Sequence, residues 1–257
     1  MGMPKAVVFF DLDGTLLRDD KSLAKSTVAA IDQLRQNEVL PVVATGRNIF
    51  EIQYVLDQTG IDSIVSANGS YVQYEGRKLD AAVIPTPLIE AFNAFAAKQG
   101  DPVAWFNNQT FALSQETEAT WRNFALLKLD AQVIPDWYHT HEVNFMFVFN
   151  TDKEALYNRQ FAGQLDLVRN NPRGLDTMLA GVSKRTGILK LLAEAGLTGI
   201  PTYGFGDELN DEPMLKLVDH PVVMGNGNPK MKALAEYVTG DNMHDGIGQG
   251  LRHFQLI

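Results

Sequence analysis

The chain has 257 residues, a formal charge of −9 at pH 7 and no cysteine, so it is long enough for one large domain or two modest ones. The excess of acidic residues excludes a broad basic surface for nucleic acid or anionic membranes, and the absence of cysteine excludes disulfide bonds and thiolate metal sites. No apolar run reaches the roughly 18 residues of a membrane span, which predicts a cytoplasmic protein without a membrane partner.

The N-terminal part of the sequence alternates between strand and helix patterns. The predicted elements are a strand at Ala6–Phe10, a helix with Ser22 as its candidate N-cap, a strand at Val39–Ala44, a helix at 49–58 that Gly60 ends, and a strand at 63–67. This order of strand, helix, strand, helix and strand predicts a parallel sheet with right-handed crossovers.

The pattern changes near Ala82, where strands and helices no longer alternate regularly. The predicted elements are a hairpin of 103–106 with 110–113 through Asn107-Asn108, a helix at 115–127, a strand at 144–149, a helix at 153–162, and strands at 166–170 and 176–179. A mixed, largely antiparallel arrangement of this kind indicates a separate α+β domain.

The regular alternation resumes at Ser183. The predicted elements are a helix at 184–195 between Ser183 and Gly196, a strand at 202–205, a helix at 210–218, a strand at 222–224 and a helix at 229–236. We therefore predict an α/β fold, in which residues 1–81 and 184–257 form a Rossmann-like, doubly wound parallel sheet and residues 82–183 form an inserted α+β cap domain.

Two acidic clusters follow predicted strands. Asp11 and Asp13 come directly after the first strand, and Asp207 and Asp211 follow the strand at 202–205. Because an open parallel sheet binds ligands beyond the carboxyl ends of its strands, we expect both clusters to lie at one edge. Carboxylates at i and i+2 of an extended chain face the same side and repel each other unless a cation intervenes. A metal site whose ligand atoms are all oxygens favours Mg²⁺.

Two further segments carry groups that suit an anion. Thr45, Gly46 and Arg47 offer a hydroxyl, an accessible backbone N–H and a guanidinium after the second strand. Lys184 stands at a predicted helix start, where free N–H groups already favour anions. Acidic pairs, a metal, a hydroxyl and a lysine at one edge indicate a phosphoryl-transfer site.

Together these motifs resemble those of the haloacid dehalogenase-like phosphatases, of the Cof type with a type-IIB cap. The matching segments are DLDGT at 11–15, ATGR at 44–47, Lys184 in Val-Ser-Lys, GDELND at 206–211, and, in the tail, Met224-Gly225-Asn226 and Asp245-Gly246. The resemblance spans nearly the whole chain, although the cap matches in size and position more than in residues. One departure is Arg185, because many relatives have glycine directly after the lysine.

The resemblance implies a role for each matching residue. It makes Asp11 the nucleophile and Asp13 the general acid and base. It places Mg²⁺ on Asp11, on the backbone carbonyl of Asp13 and on Asp207, with Asp211 acting indirectly. The implied phosphate contacts are the Leu12 N–H, Thr45, Gly46, Lys184 and Asn210, and the candidates for substrate contact are Arg47 and Asn68. The implied substrate is a small phosphorylated metabolite, a sugar phosphate or a phosphorylated cofactor, and the implied state is a monomer or weak homodimer.

Each of these residues also has a structural interpretation. The acidic residues are common at turns and helix starts, where the dipole favours them. Arg47 and Asn68 are equally suited to structural hydrogen bonds. In the cap, the aromatic and polar residues that suit either a substrate pocket or internal packing are Trp105, Asn107, Trp137, His139 and His141.

Other functions use similar residues. A phosphomutase or phosphotransferase forms the same aspartyl phosphate but passes the phosphoryl group to an acceptor other than water. A signalling receiver domain also phosphorylates an aspartate, but a carboxylate two residues later and an insertion of roughly 100 residues oppose that interpretation. A non-catalytic sugar-phosphate sensor remains a further alternative.

Overall fold

The apolar runs of the sequence build two sheets. In a computed structural model, which describes residues 2–257, the strands are β1 (Ala6–Phe10), β2 (Val39–Ala44), β3 (Ile64–Ser66), β4 (Tyr71–Tyr74), β5 (Arg77–Ala81), β6 (Val103–Phe106), β7 (Phe111–Leu113), β8 (Phe145–Phe149), β9 (Leu165–Asn171), β10 (Gly174–Leu179), β11 (Thr202–Gly206), β12 (His220–Val223) and β13 (Tyr237–Val238). The α-helices are α1 (Lys25–Gln36), α2 (Gln53–Thr59), α3 (Thr86–Gln99), α4 (Glu118–Leu127), α5 (Glu154–Gln160), α6 (Lys184–Glu194), α7 (Glu212–Leu215), α8 (Pro229–Lys232) and α9 (Gly246–His253).

The larger sheet has eight strands in the order β13-β12-β11-β1-β2-β3-β4-β5. The six strands from β13 to β3 run parallel, and β4 pairs antiparallel with β3. All five residues of β1 are buried, as expected of a central parallel strand that is covered on both faces. The chain adds strands outward from β1 in one direction and from β11 in the other, so the strand order reverses between them. Open sheets of this kind bind ligands at that reversal, and the predicted α/β fold class is confirmed.

The chain divides into two compact units. One unit contains the residues up to Arg47 together with Glu51–Asp80 and Ser183–Ile257, and the other contains Asn48–Phe50 and Ala81–Val182. In the first unit, β1, β2 and β3 share a hydrophobic core with α6 and α7. Each unit therefore has a hydrophobic core of its own.

The second unit contains a five-stranded sheet in the order β7-β6-β8-β10-β9, whose strand pairs are antiparallel. Phe92 of α3 and Tyr157 of α5 pack in its core with Trp105 of β6. Phe50, from the short segment assigned to this unit, stacks on Phe111 with ring centroids 5.7 Å apart. The predicted hairpin, joined at Asn107, is present as β6 and β7.

Several details differ from the predicted elements. Ser22 does not cap α1, which begins at Lys25 after Ala24 and has no side-chain cap, because the Ser22 hydroxyl and N–H both donate to Asp20 Oδ1. The sequence prediction also missed α3, α9 and the strands β4, β5 and β13, and the helix expected at 210–218 is a 3₁₀ turn followed by the short α7. Among residues 2–257, no helix combines the length and the apolar character that crossing a bilayer requires.

Candidate active site

A buried ion-pair network lies at the carboxyl ends of β1 and β11. The Asp11 N–H donates to the carbonyl of Phe205 at 2.9 Å, which continues the pairing of the two strands by one residue. Lys184 Nζ donates to Asp11 Oδ1 at 2.5 Å and to Asp211 Oδ1 at 2.6 Å. The side chains of Lys184 and Asp211 are fully buried and that of Asp11 is 8% exposed. One lysine therefore joins both acidic clusters.

The carboxylates at this site outnumber its buried cation. Burial, and then the charge of Asp211, raise the pKa of Asp11 well above its usual value, although Lys184 opposes this. Burial lowers the pKa of Lys184, but Asp11 and Asp211 outweigh it and the net shift is upward, so the lysine stays charged. Burial and the charge of Asp211 raise the pKa of Asp207 to about 7. An additional cation would relieve this repulsion.

Asp207 lies beside the loop that follows β1. The hydroxyl of Thr15 donates to Asp207 Oδ1 at 3.0 Å. Gly14 has a φ of +82°, and a Cβ at that position would lie 2.2 Å from Asp207 Oδ2. Glycine is therefore required here both by the backbone conformation and by the approach of the carboxylate. Thr15 belongs to the predicted motif, but its contact with Asp207 was not predicted.

Three carboxylates could hold a divalent metal. Asp11, Asp207 and Asp211 each offer an oxygen, and these oxygens all lie within 4.8 Å of one another. Oxygen ligands suit a hard divalent cation. Asp211 also has other bonds, because its Oδ2 accepts the N–H groups of Asp207 at 2.9 Å and Glu208 at 3.1 Å. The residues fit a divalent cation, with Asp211 also bracing the turn that carries Asp207.

Asp13 is held by two cations. Arg47 donates from Nε to Asp13 Oδ2 and from Nη2 to Asp13 Oδ1, both at 2.6 Å. Lys21 Nζ donates to Asp13 Oδ1 at 2.7 Å. Burial raises the pKa of Asp13, but its hydrogen bonds and ion pairs, first with Arg47 and then with Lys21, outweigh burial and lower the pKa below its usual value. Lys21 was not among the predicted site residues.

The loop after β2 brings the remaining predicted residues together. Thr45 Oγ1 accepts the N–H of Arg47 at 3.1 Å, and the Asn68 N–H donates to the Thr45 carbonyl at 3.0 Å. A Cβ at Gly46 would lie 3.1 Å from Asn68 Oδ1. Arg47 thus contacts Asp13. Asn68 packs against the loop that carries Thr45 and Gly46. Their contacts with a substrate stay predictions.

Two predicted phosphate contacts come from short segments next to the carboxylates. Leu12 lies between Asp11 and Asp13, and its side chain is fully buried. Asn210 is half-buried in a single 3₁₀ turn at Leu209–Asp211. The proposed contacts of both with phosphate stay predictions.

Two asparagines fix the loop after β1, and their contacts were not predicted. Asn226 Nδ2 donates to the Gly14 carbonyl at 2.8 Å. The Asn242 N–H donates to Asn226 Oδ1 at 3.1 Å, and Asn242 Nδ2 donates to the Leu17 carbonyl at 2.9 Å. Asn226 belongs to a tail segment that resembles the family, but that resemblance did not predict its contact with Gly14. No motif or pattern in the sequence pointed to Asn242 as a site residue.

The start of α6 is regular despite Arg185. Ser183 Oγ accepts the N–H of Thr186 at 3.3 Å, and the Ser183 N–H donates to Thr186 Oγ1 at 2.9 Å. This reciprocal capping box satisfies two N–H groups at the first turn and places Lys184 at the first helical position.

The aromatic and polar residues of the second unit are largely used in its own packing. Trp105 is 1% exposed and donates from its indole N–H to Asn93, so its suggested substrate contact is not supported. Asn107 Oδ1 accepts two N–H groups of the hairpin turn. His141 stacks on the buried Trp137 with ring centroids 4.5 Å apart. His139 lies 3.9 Å from Glu90.

Comparisons with known proteins show which family this chain is similar to. The family model described as haloacid dehalogenase-like hydrolase matches residues 8–251. YkrA of Bacillus subtilis (strain 168) is 30% identical over 257 residues, covering 99% of this chain and 100% of YkrA. The HMP-PP phosphatase of Serratia proteamaculans (strain 568) is 26% identical over 265 residues, covering 95% of this chain and 93% of its own.

A solved structure is similar over almost the same length. The HAD subclass IIB sugar phosphatase BT4131 is 27% identical with a TM-score of 0.86, covering 98% of this chain and 100% of its own. The chain therefore belongs to the haloacid dehalogenase-like hydrolase family, in which it is a phosphatase, that is, a phosphoric monoester hydrolase. The resemblance seen in the sequence motifs is confirmed.

Proposed function

We propose that the protein is a Mg²⁺-dependent phosphatase that hydrolyses small phosphorylated metabolites through a phospho-aspartate at Asp11. The observation that carries this proposal is the buried contact of Lys184 with Asp11 and Asp211 at the carboxyl ends of β1 and β11. A nucleophile must remain anionic, and a charged lysine at 2.5 Å favours the ionised form of Asp11. The same lysine offers a positive charge to the phosphoryl oxygens.

The two chemical steps use Asp11 and Asp13. The Asp11 carboxylate attacks phosphorus, the bond from phosphorus to the ester oxygen breaks, and the leaving alcohol receives a proton from Asp13. A water molecule then attacks the phospho-aspartate and gives a proton to Asp13, which releases inorganic phosphate and restores the Asp11 carboxylate. Together the two steps return Asp13 to its protonated form, ready for the next cycle.

We infer that Asp11, Asp207 and the backbone carbonyl of Asp13 hold the Mg²⁺. Asp211 acts indirectly, because its two oxygens already accept hydrogen bonds from Lys184 and from the backbone of Asp207 and Glu208. When bound, the cation supplies positive charge that neutralises the phosphoryl oxygens during transfer. The raised pKa of Asp207, about 7, supports this assignment, because burial and then the charge of Asp211 disfavour its ionised form, which a bound cation would favour.

The remaining predicted contacts bind the phosphoryl group. The Thr45 oxygen accepts the Arg47 N–H, and its hydroxyl proton is the donor that we assign to the phosphoryl group. The N–H groups of Leu12 and Gly46 and the side chain of Asn210 complete the proposed set. We assign Arg47 chiefly to Asp13, which it contacts through two nitrogens.

The proposed substrate class is a small phosphorylated metabolite. Two similar proteins, a sugar phosphatase and an HMP-PP phosphatase, support this size class. We further propose that residues 82–183 form the cap that selects among such metabolites. The choice of substrate, the cytoplasmic location and a monomeric or weakly dimeric state stay predictions.

The test compares the wild type with Asp11→Asn. The matched control is Asp57→Asn, the same substitution at an exposed residue of α2. Release of phosphate from p-nitrophenyl phosphate and from a panel of sugar phosphates is measured with Mg²⁺, with Ca²⁺ and with excess EDTA. We expect Mg²⁺ to support turnover, EDTA to abolish it and Ca²⁺ to replace Mg²⁺ poorly. Asp11→Asn should lower kcat at least ~10³-fold while Asp57→Asn stays within about twofold.

Two outcomes would contradict the proposal. Activity of Asp11→Asn within tenfold of the wild type would exclude the covalent route, and full activity in EDTA would exclude the metal. Added glycerol distinguishes hydrolysis from phosphotransfer, because a phosphotransferase would convert it to glycerol phosphate in preference to releasing inorganic phosphate.

A further inference from the structure

Lys21 has a backbone conformation that its side chain does not favour. The segment from Leu17 to Leu23 forms a small hairpin, in which the Arg18 N–H donates to the Ser22 carbonyl and the Lys21 N–H donates to the Arg18 carbonyl, each at 2.9 Å. At its tip Lys21 has a φ of +66°. This left-handed conformation favours glycine or asparagine in hairpin turns. A lysine is therefore less favourable at this position than glycine or asparagine would be.

That side chain reaches the proposed general acid. Lys21 Nζ lies 2.7 Å from Asp13 Oδ1, although the Lys21 side chain is 53% exposed. An exposed ion pair of this kind contributes little to stability. Stability alone therefore does not account for a lysine at this strained position.

The hairpin tip is held from a second element. The hydroxyl of Tyr54, on α2, donates to the Lys21 carbonyl at 3.0 Å. The base of the same loop is fixed by Asn242, whose side chain donates to the Leu17 carbonyl at 2.9 Å. These two bonds fix the backbone from which the Lys21 ammonium reaches Asp13.

The three hydrogen bonds on Asp13 are unevenly shared between its oxygens. Oδ1 accepts from Lys21 and from Arg47 Nη2, whereas Oδ2 accepts from Arg47 Nε. A carboxylate oxygen has two lone pairs. Oδ1 is therefore saturated by the two cations, and Oδ2 keeps a lone pair.

We propose that Lys21 is a positioning residue for Asp13, one that turns Oδ2 toward the ester oxygen of the substrate by holding Oδ1. The proposal rests on the proposed function, because it assigns the proton transfer to Asp13. In the first step the proton leaves Asp13 Oδ2 for the ester oxygen as the phosphorus–oxygen bond breaks. In the second step the same oxygen takes a proton from the attacking water. Lys21 touches neither the phosphoryl group nor the nucleophile.

The test uses Lys21→Gly and Lys21→Met, with Lys25→Met as the control. Lys25 is an exposed lysine four positions along, at the start of α1, so the control makes the same change of charge. Two substrates differ in their leaving group: p-nitrophenolate leaves without a proton, whereas the alcohol of glycerol 3-phosphate needs one. Steady-state kcat and KM, the first-turnover release of p-nitrophenol and the Tm are measured for each variant.

We expect both Lys21 variants to lower kcat for glycerol 3-phosphate by ~10- to 100-fold, because a misplaced acid transfers its proton poorly. KM should change by less than about threefold, and first-turnover release of p-nitrophenol should stay within about threefold, since that step needs no acid. Lys21→Gly should keep or raise the Tm, because glycine accepts the positive φ. Lys25→Met should match the wild type in every measurement.

Three results would overturn the proposal. An unchanged kcat for glycerol 3-phosphate would show that the contact has no catalytic effect. A raised KM with unchanged kcat would make Lys21 a substrate contact. Equal losses on both substrates together with a lower Tm would make it a structural residue. If the wild type hydrolyses neither these two substrates nor any of the sugar phosphates in the panel, the proposed function itself fails, which separates the two conclusions.

Discussion

At the scale of single residues, the site is defined by an imbalance of charge. Asp11, Asp207 and Asp211 bring oxygens within 4.8 Å of one another, and Lys184 is the buried cation that contacts two of them. Burial, and then the neighbouring Asp211, hold the pKa of Asp207 at about 7. Near neutral pH, therefore, protons and a divalent metal compete for the same carboxylate.

This competition predicts that Mg²⁺ affinity falls as the pH falls. Binding requires an ionised Asp207, so with a pKa of about 7 the Kd at pH 6 should be about tenfold higher than at pH 8. Isothermal titration at the two pH values measures the change, and repeating it in buffers of different ionisation enthalpy counts the protons released. A Kd that is the same at pH 6 and pH 8 would contradict the assignment of Asp207.

The same shift predicts how the stability of the metal-free protein depends on pH. The pKa of Asp207 is raised from 3.8 to about 7, so between these values the folded state binds more protons than the unfolded state. Stability must then fall as the pH rises through this window. We expect a higher Tm at pH 6 than at pH 8 without metal, and a smaller difference with saturating Mg²⁺. An opposite slope without metal would show that other groups dominate.

At the scale of secondary-structure elements, the position of Lys184 depends on how closely α6 approaches the sheet. Gly187, one turn after the lysine, faces β3 and the 3₁₀ turn at Ala67–Gly69. A Cβ at Gly187 would lie 2.6 Å from Val65 Cγ1 and 2.9 Å from Gly69 Cα. This close approach brings the start of α6 near the end of β1, where Lys184 contacts Asp11.

Gly187→Ala should therefore destabilise the fold. Overpacking costs about 1–3 kcal/mol, and the better helix propensity of alanine offsets at most about 1 kcal/mol of it. Arg185→Ala is the matched control, because Arg185 is exposed on the same helix, and its effect should stay within about 0.5 kcal/mol. Urea unfolding of the two variants measures the difference. A Gly187→Ala protein as stable as the wild type would show that α6 can move away without cost.

At the scale of the whole molecule, the sequence predicted those parts of the fold that depend on local pattern. The buried run Ala6–Phe10 and the carboxylate after it were correctly placed, because a central parallel strand is apolar throughout and ligands collect beyond its carboxyl end. Trp105 was open to two interpretations, since alternation along a strand does not indicate which face is covered by helices. The structure places it in the core with α3 and α5.

The contacts that the sequence could not predict are those between distant loops. The bond from Asn242 to Leu17 joins residues 225 positions apart. The contact of Lys21 with Asp13 depends on a hairpin whose tip takes a left-handed conformation. The prediction that Ser22 caps α1 was wrong, because the Ser22 hydroxyl and N–H both donate hydrogen bonds to the nearby Asp20. Such contacts follow from the tertiary fold rather than from local sequence.

We propose that the first unit carries out phosphoryl transfer and that the second selects the substrate, which leads to a prediction about specificity. The residues of the site, among them Asp11, Asp13, Lys184 and Asp207, belong to the first unit, and their proposed contacts are with the phosphoryl group that all phosphomonoesters share. Discrimination among metabolites must then come from elsewhere in the chain. We assign it to residues 82–183, the predicted cap.

Replacing residues 82–182 with a short Gly-Ser linker should keep slow hydrolysis of p-nitrophenyl phosphate but remove substrate preference. Phe50 would lose its stacking partner Phe111, so the replacement carries Phe50→Ser, and full-length Phe50→Ser is the control. Circular dichroism first checks that the shortened chain folds, as the separate core around β1, β2, β3 and α6 leads us to expect.

The values of kcat/KM across a panel of sugar phosphates are then compared. In the control, we expect kcat/KM to differ by up to ~10- to 200-fold between sugar phosphates. In the shortened protein these differences should fall below about threefold, because pocket contacts with the leaving group are lost. A folded, shortened protein that keeps the ranking of the control would show that the first unit selects the substrate.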